Sequence, residues 1–117
     1  KSIDQSNAVE ISKAGSLNSE ANDKCPFTTG DLMVFASDRE GGSGGYDLWY
    51  STYSDSEWSS PKNFGTEINS AYNEFRPVIL VTWEEEFLNN LMIFSSDRPG
   101  GNGGYDLYYV GISKSLK

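Results

Sequence analysis

The 19-residue stretch from Leu32 to Tyr50, LMVFASDREGGSGGYDLWY, returns as Leu91 to Tyr109, LMIFSSDRPGGNGGYDLYY. The two copies agree without a gap at 14 of 19 positions. The differences, Val34/Ile93, Ala36/Ser95, Glu40/Pro99, Ser43/Asn102 and Trp49/Tyr108, are conservative or sit in the glycine loop. An internal repeat constrains the fold more than any local propensity does, because both copies must build one kind of unit and the units must cover each other's apolar faces. The likeness extends upstream. Leu17-Asn18-Ser19 matches Ile68-Asn69-Ser70, Asn22 matches Asn73, Asp23 matches Glu74 and Pro26 matches Pro77. This lead-in recurs after 51 residues and the core after 59, so the second unit carries eight extra residues, placed at Val81 to Asn90, VTWEEEFLNN. The chain divides into a segment over 1–16, a first unit over 17–67 and a second over 68–117, with the insert at 81–90.

Strand patterns fill each unit. Leu32 to Ala36 is a continuous apolar run bounded by Gly30-Asp31 and the glycine loop, as a strand buried on both faces requires. Asp47 to Tyr53 alternates Leu48, Tyr50 and Thr52 with Trp49, Ser51 and Tyr53, so both faces carry bulk. Cys25-Pro26-Phe27 and Phe75 to Val81 read as short strands leading into each apolar run. Trp58 to Phe64 reads as an outer strand, which Pro61 confines to a sheet edge. No stretch shows sustained helical periodicity; Val9 to Leu17 comes nearest, and Gly15 interrupts it. The expectation is an all-β chain of two four-stranded antiparallel meanders.

Composition removes several function classes. The formal charge is −8, from 17 acidic and 9 basic residues, which repels a phosphate backbone, so nucleic acid is not expected as a partner. Histidine is absent, and with it the commonest general base and zinc ligand. The single cysteine, Cys25, excludes an internal disulfide and reads as a buried structural thiol. The longest apolar runs are too short to span a bilayer as a helix. The first residues lack the apolar core of a secretion signal, so the protein is either cytoplasmic or stripped of its address.

The motif Phe-[Ala/Ser]-Ser-Asp-Arg-x-Gly-Gly-x-Gly-Gly-Tyr-Asp-Leu-[Trp/Tyr]-Tyr resembles the WD40-like PD40 repeat of bacterial envelope β-propellers, the family of TolB-type and many outer-membrane-associated proteins. The lead-in Ile68-Asn69-Ser70-x-x-Asn73-Glu74-Phe75-x-Pro77 also matches that family. The resemblance covers about Leu17 to Ile112 and departs at Val78 to Asn90, where the family has a tight turn. It implies propeller blades used as a binding or scaffolding surface, periplasmic or outer-membrane-associated, without catalysis and without a cofactor. Two blades leave aromatic faces uncovered, which soluble monomers rarely tolerate. The chain is therefore expected either to form a multi-subunit ring or to be part of a larger propeller. Val9 and Ile11 align with the outer-strand region before Ile68, so a neighbour's N-terminal segment is expected to complete the second unit.

Candidate site residues gather on the rim formed by the glycine loops and lead-ins: Asp38, Arg39, Tyr46, Asn73, Glu74, Arg76, Asp97, Arg98 and Tyr105. An Arg fork there suits a carboxylate or phosphate; alternatively each Asp caps its loop and each Arg pairs with a neighbouring acid, as repetition with the scaffold suggests. The glycine loops lack the following helix of a phosphate cradle and more simply supply turn conformations. Asp38, Glu40, Asp47, Glu20 and Asp23 lack calcium-loop spacing, so no metal is assigned. The acidic positions recur symmetrically instead of converging on one pocket, and no Ser has an activating base, so an enzyme is not expected. Trp83, Glu85 and Phe87 of the insert read as a protein-contact finger or a solvated loop. The expected partner is a protein of the bacterial envelope. The alternatives are an envelope glycan stacked on Tyr46, Trp49, Tyr72 and Tyr105, or service as the accessory propeller of a hydrolase.

Overall fold

The computed structural model describes residues 11–83 and 88–116. Among these there is no helix, and the strands are β1 (Asp23–Thr29), β2 (Leu32–Ser37), β3 (Asp47–Ser54), β4 (Glu57–Trp58), β5 (Lys62–Asn63), β6 (Glu74–Leu80), β7 (Asn89–Ser96) and β8 (Asp106–Ser113). All pairing is antiparallel. The first sheet runs β1-β2-β3, with β4 and β5 sharing the outer edge of β3; the second runs β6-β7-β8. The repeat is carried into the register. Leu32 faces Thr52 and Ser37 faces Asp47 across β2–β3, and the matched Leu91–Gly111 and Ser96–Asp106 pairs recur across β7–β8.

Local chemistry explains the joints. Gly30 takes the left-handed conformation (φ 56°) that the tight β1–β2 turn needs. The outer strand expected over 58–64 is instead split into β4 and β5. Pro61 has no N–H for the ladder. The chain there is held by Ser59, whose N–H reaches the Thr52 carbonyl at 2.8 Å and whose own carbonyl accepts from Ser51 Oγ at 2.6 Å. The insert is shorter than the expected 81–90, because Asn89 and Asn90 already belong to β7, opposite Ser113 and Ile112. Val9, Glu85 and Phe87 lie outside the described residues.

Both leading strands carry one device the sequence pattern does not announce. The β1–β2 register slips between Lys24 and Phe27, and the β6–β7 register slips between Phe75 and Val78. At each slip a non-glycine residue is left-handed, Cys25 (φ 55°) and Arg76 (φ 53°), and each precedes a proline. Proline cannot donate to the ladder, so the strand bulges around it, at a strain cost of about 1 kcal/mol or more per residue. The bulge leaves Cys25 half-buried instead of in the core.

The sheets stack face to face. Val34, Ala36 and Leu48 of the first meet Ile79, Met92, Phe94 and Ile112 of the second in one buried cluster. The glycine loop of the first unit seals its end: a Cβ on Gly44 would overlap the backbone of Ala71, and one on Gly45 would overlap the Asn73 amide. The matched Gly103 and Gly104 have open space around them. Gly44→Ala should therefore lower stability by about 1–3 kcal/mol, while Gly103→Ala should change it by less than about 0.5 kcal/mol. Urea melts of both variants at low protein concentration check this; equal effects would contradict the packing asymmetry.

Candidate functional site

The rim is built by one hydrogen-bond circuit made twice. In the first unit Arg39 Nη2 donates to the Leu17 carbonyl at 2.6 Å and to Asp23 Oδ1 at 2.8 Å, and its Nε donates to Ser37 Oγ at 3.0 Å. Ser37 Oγ donates in turn to Asp23 Oδ1 at 2.7 Å, and the Ser19 N–H reaches Asp23 Oδ2 at 2.9 Å. The guanidinium lies over the Phe35 and Trp49 rings, 5.1 and 5.2 Å from their centroids. In the second unit Arg98 Nη2 donates to the Ile68 carbonyl at 2.6 Å and to Glu74 Oε2 at 3.3 Å, and its Nε to Ser96 Oγ at 3.0 Å. Glu74 also accepts from the hydroxyls of Ser70 and Ser96 and covers no surface of its own, being fully buried. Arg98 lies over Phe94 and Tyr108.

The neighbouring aspartates close the same rim. Asp38 accepts from the Asn22 N–H at 2.8 Å and from Asn22 Nδ2 at 3.1 Å; Asp97 accepts from the Asn73 N–H at 2.8 Å and from Asn73 Nδ2 at 3.2 Å. Backbone donation from Asn22 and from Asn73 is the main reason that the Asp38 and Asp97 carboxyls lie below their ordinary value. For Asp23, burial pushes the carboxyl up, but donation from Ser19, Ser37 and Arg39 outweighs it and holds the group low. Asp47 and Asp106 fold the glycine loops back on themselves by accepting from the N–H groups of Ser43 and Gly44, and of Asn102 and Gly103.

The residues expected to form a binding rim thus fall into two groups. Asp38, Arg39, Asn73, Glu74, Asp97 and Arg98 spend their polar atoms on partners within the chain. Arg76 and Tyr105 are different. Together with Lys24, Cys25, Phe75 and Ser95 they line an open cleft of about 370 Å³ between the bulges of β1 and β6. The Lys24 ammonium sits 5.1 Å from the centre of the Tyr46 ring. Phe75 bridges Tyr46 and Tyr105 with centroid distances of 4.6 and 5.8 Å. Arg76 is exposed and has no hydrogen bond or ion pair to a described residue. Burial, then the charges of Asp97 and Glu74, push the Tyr105 hydroxyl up, so it remains a neutral donor.

Sequence reasoning did not place Lys24, Phe75 or Ser95 in a site; the available signal was the matched Cys25-Pro26 and Arg76-Pro77 pairs, which mark where both strands bulge. Of the other expected contacts, Tyr72 and Trp83 are exposed, whereas Trp49 is 7% exposed beneath Arg39. Among the described residues no three His, Cys, Asp or Glu side chains gather into a group able to hold a metal ion, and no helix is long and apolar enough to cross a membrane. No protein-family model, curated protein or solved structure matches the chain.

The lowered Asp23, Asp38 and Asp97 carboxyls give a signed pH dependence. Their hydrogen bonds are made to the charged form, so the stability they add is present above the unfolded value and is lost as pH falls through the lower folded values. Asp38→Asn/Asp97→Asn should be less stable than the parent at neutral pH, and the gap should narrow below about pH 4 as the parent's carboxylates protonate. Urea melts across that range check it; a gap that stays constant with pH would show that the carboxylate charge contributes nothing.

Proposed function

We propose that the chain forms two blades of a PD40-type β-propeller and serves as a non-catalytic binding and scaffolding module for protein partners in the bacterial cell envelope. Two antiparallel meanders stacked face to face, each opening on the same lead-in circuit, support the blade reading. The observation that carries the functional reading is the duplicated circuit itself. Asp23/Glu74, Ser37/Ser96 and Arg39/Arg98 are the chemically competent side chains of the motif, and in both units they bond to each other. A catalytic centre needs one asymmetric constellation with a free nucleophile or base; this circuit is symmetric and satisfied.

The accessible cleft with Lys24, Arg76, Phe75 and Tyr105 is the one that places a cation without an ion-pair partner among the described residues beside aromatic rings. Two cations beside aromatic rings, in a chain of net charge −8, suit an extended acidic protein segment, whose carboxylates pair with the cations while its apolar groups rest on the rings. The glycan alternative draws on the half-exposed Tyr72 and Tyr105, yet Trp49 offers no face to a sugar. Envelope location follows from the family resemblance alone.

The test is titration of the full chain with fluorescent acidic peptides and with neutral oligosaccharides. Peptide binding should weaken with added salt and fall roughly tenfold or more in Lys24→Glu/Arg76→Glu, since each reversed charge costs on the order of a kcal/mol. Oligosaccharide binding that ignores this double substitution would establish the glycan reading instead.

A further inference from the structure

The two units are covered unequally, and the repeat shows what the bare one lacks. Leu48 is 0% exposed and Tyr50 is half-buried, because the second sheet lies on them; their counterparts Leu107 and Tyr109 are each 77% exposed. The first unit is gripped through backbone-directed bonds from the lead-in of the second. Asn69 Oδ1 accepts from the Leu48 N–H at 2.7 Å, and Asn69 Nδ2 donates to the Leu48 carbonyl at 3.0 Å. Asn73 Oδ1 accepts from the Tyr46 N–H at 2.9 Å. The Glu74 N–H donates to the Tyr46 carbonyl at 2.8 Å, and the Gly45 N–H to the Tyr72 carbonyl at 3.1 Å.

Every one of these grips has its counterpart, unused, within the same chain. On the second sheet the receiving groups are the backbones of Gly104, Tyr105 and Leu107, with Gly103 and Gly104 standing in open space where Gly44 and Gly45 are packed. At the front of the first unit the gripping groups are Asn18, Asn22 and Asp23, at the positions of Asn69, Asn73 and Glu74. Asn18 is exposed, and its amide has no partner among the described residues. The turn that presents it is already set: the Leu17 and Asn18 N–H groups both reach the Ala14 carbonyl, as those of Ile68 and Asn69 reach the Gly65 carbonyl. Just ahead of that turn, Ile11 and Ser12 hold the positions of Lys62 and Asn63, which pair with Tyr50 and Trp49 as β5. Ile11 is 99% exposed, and no described strand pairs with the outer edge of β8.

We infer that the open face of the second sheet is a docking surface for a second copy of this chain, which binds head to tail through its Asn18–Asp23 lead-in and β1. The register follows from the internal interface. Asn18 of the incoming copy takes both backbone groups of Leu107, its Asn22 accepts from the Tyr105 N–H, and its Lys24 lies against the Tyr105 ring. Ile11 and Ser12 of that copy extend β8 opposite Tyr109 and Tyr108. The contact is heterologous, so its repetition builds a closed ring or a filament instead of a symmetric dimer. This inference rests on the repeat; it shares Lys24 and Tyr105 with the partner-binding cleft, but its test reads self-association through Asn18 and Leu107, which do not line that cleft.

Two monomer-silent substitutions test it by sedimentation of the full chain over a concentration series. The parent should populate species heavier than its 12.9 kDa monomer. Leu107→Glu puts a charge on the receiving face at an exposed position, and Asn18→Arg blocks the gripping side; each should weaken self-association roughly 30-fold or more, with unchanged circular dichroism and melting at low concentration. Each variant keeps the half that the other lacks, so an equimolar mixture should recover a species of two chains and no higher. A parent that remains monomeric throughout, or association that survives both substitutions, overturns the inference, as does a mixture that fails to form the pair while each variant still folds.

Discussion

A carboxylate at the first position of each leading strand is the constraint on which the rest depends. Glu74 is wholly buried, and a buried charge persists only when its lone pairs are filled and a counter-charge is near. Ser70, Ser96 and Arg98 supply both. The same demand made by Asp23 is met by Ser19, Ser37 and Arg39. In answering it, each arginine reaches past the carboxylate to a lead-in carbonyl and lays its planar face on two rings. One polar group thereby fixes three things: where the lead-in turns, where the strand after the β1–β2 or β6–β7 hairpin ends, and which aromatic face is capped. The shorter Asp23 draws its arginine to 2.8 Å while the longer Glu74 leaves 3.3 Å, yet both arginines hold their lead-in carbonyl at 2.6 Å. The invariant of the circuit is the arginine's grip on the lead-in; the carboxylate has latitude.

Much of this architecture was legible beforehand, for identifiable reasons. The apolar run at Leu32 has no polar face, so a strand covered on both sides was required, and Val34, Phe35 and Ala36 are buried as that demands. The register was not read from the sequence; the repeat required only that the two hairpins share it, and the Leu32–Thr52 pair recurs as Leu91–Gly111. The bulges at Cys25 and Arg76 were not legible as bulges. Proline announces that a ladder bond is missing, but not whether the chain answers by ending the strand or by kinking through it. That choice is made by the carboxylate circuit on one side of the slip and the apolar ladder on the other, neither of which is local. The outer strand at Trp58 to Phe64 failed as a single element for a related reason. Its middle is held by side-chain bonds from Ser51 and Ser59, which compete with the ladder.

The site was partly legible. Repetition pointed to Asp38, Arg39, Asp97 and Arg98 and also suggested why they would be occupied: a group required at symmetric positions by the scaffold is a poor candidate for a task performed once. Arg76 and Tyr105 share the rim but escape the circuit, because the bulge turns Arg76 outward and Tyr105 stands beside the uncovered loop. Lys24 and Phe75 are the same repeat position filled by different residues. That divergence, small in a sequence comparison, gives the cleft a cation on one wall and a ring on the other. Asymmetry between the two units thus enters where matched positions differ, while matched identities carry the scaffold.

Exposure has two meanings in this molecule. Trp83 is exposed in a connection that the first unit does not have, so nothing in the molecule says what belongs on it. Leu107 and Tyr109 are exposed at positions whose counterparts are covered, so the molecule contains its own record of the missing surface: an Asn amide on the Leu backbone, a carbonyl on the glycine loop, a short strand along the edge. In a repeat array a terminal unit presents the face that a neighbouring unit covers elsewhere, and a segment that repeats the flanking pattern fits it. Asn18, Asn22 and Asp23 repeat it. Their side of the first unit is also the less apolar one, with Thr28 where the second unit buries Ile79, so in the proposed contact between copies the polar grip would carry more than it does within one. An interface weighted toward directed hydrogen bonds fixes register strongly and affinity weakly, so the proposed contact would favour assembly at high local concentration over a permanent complex.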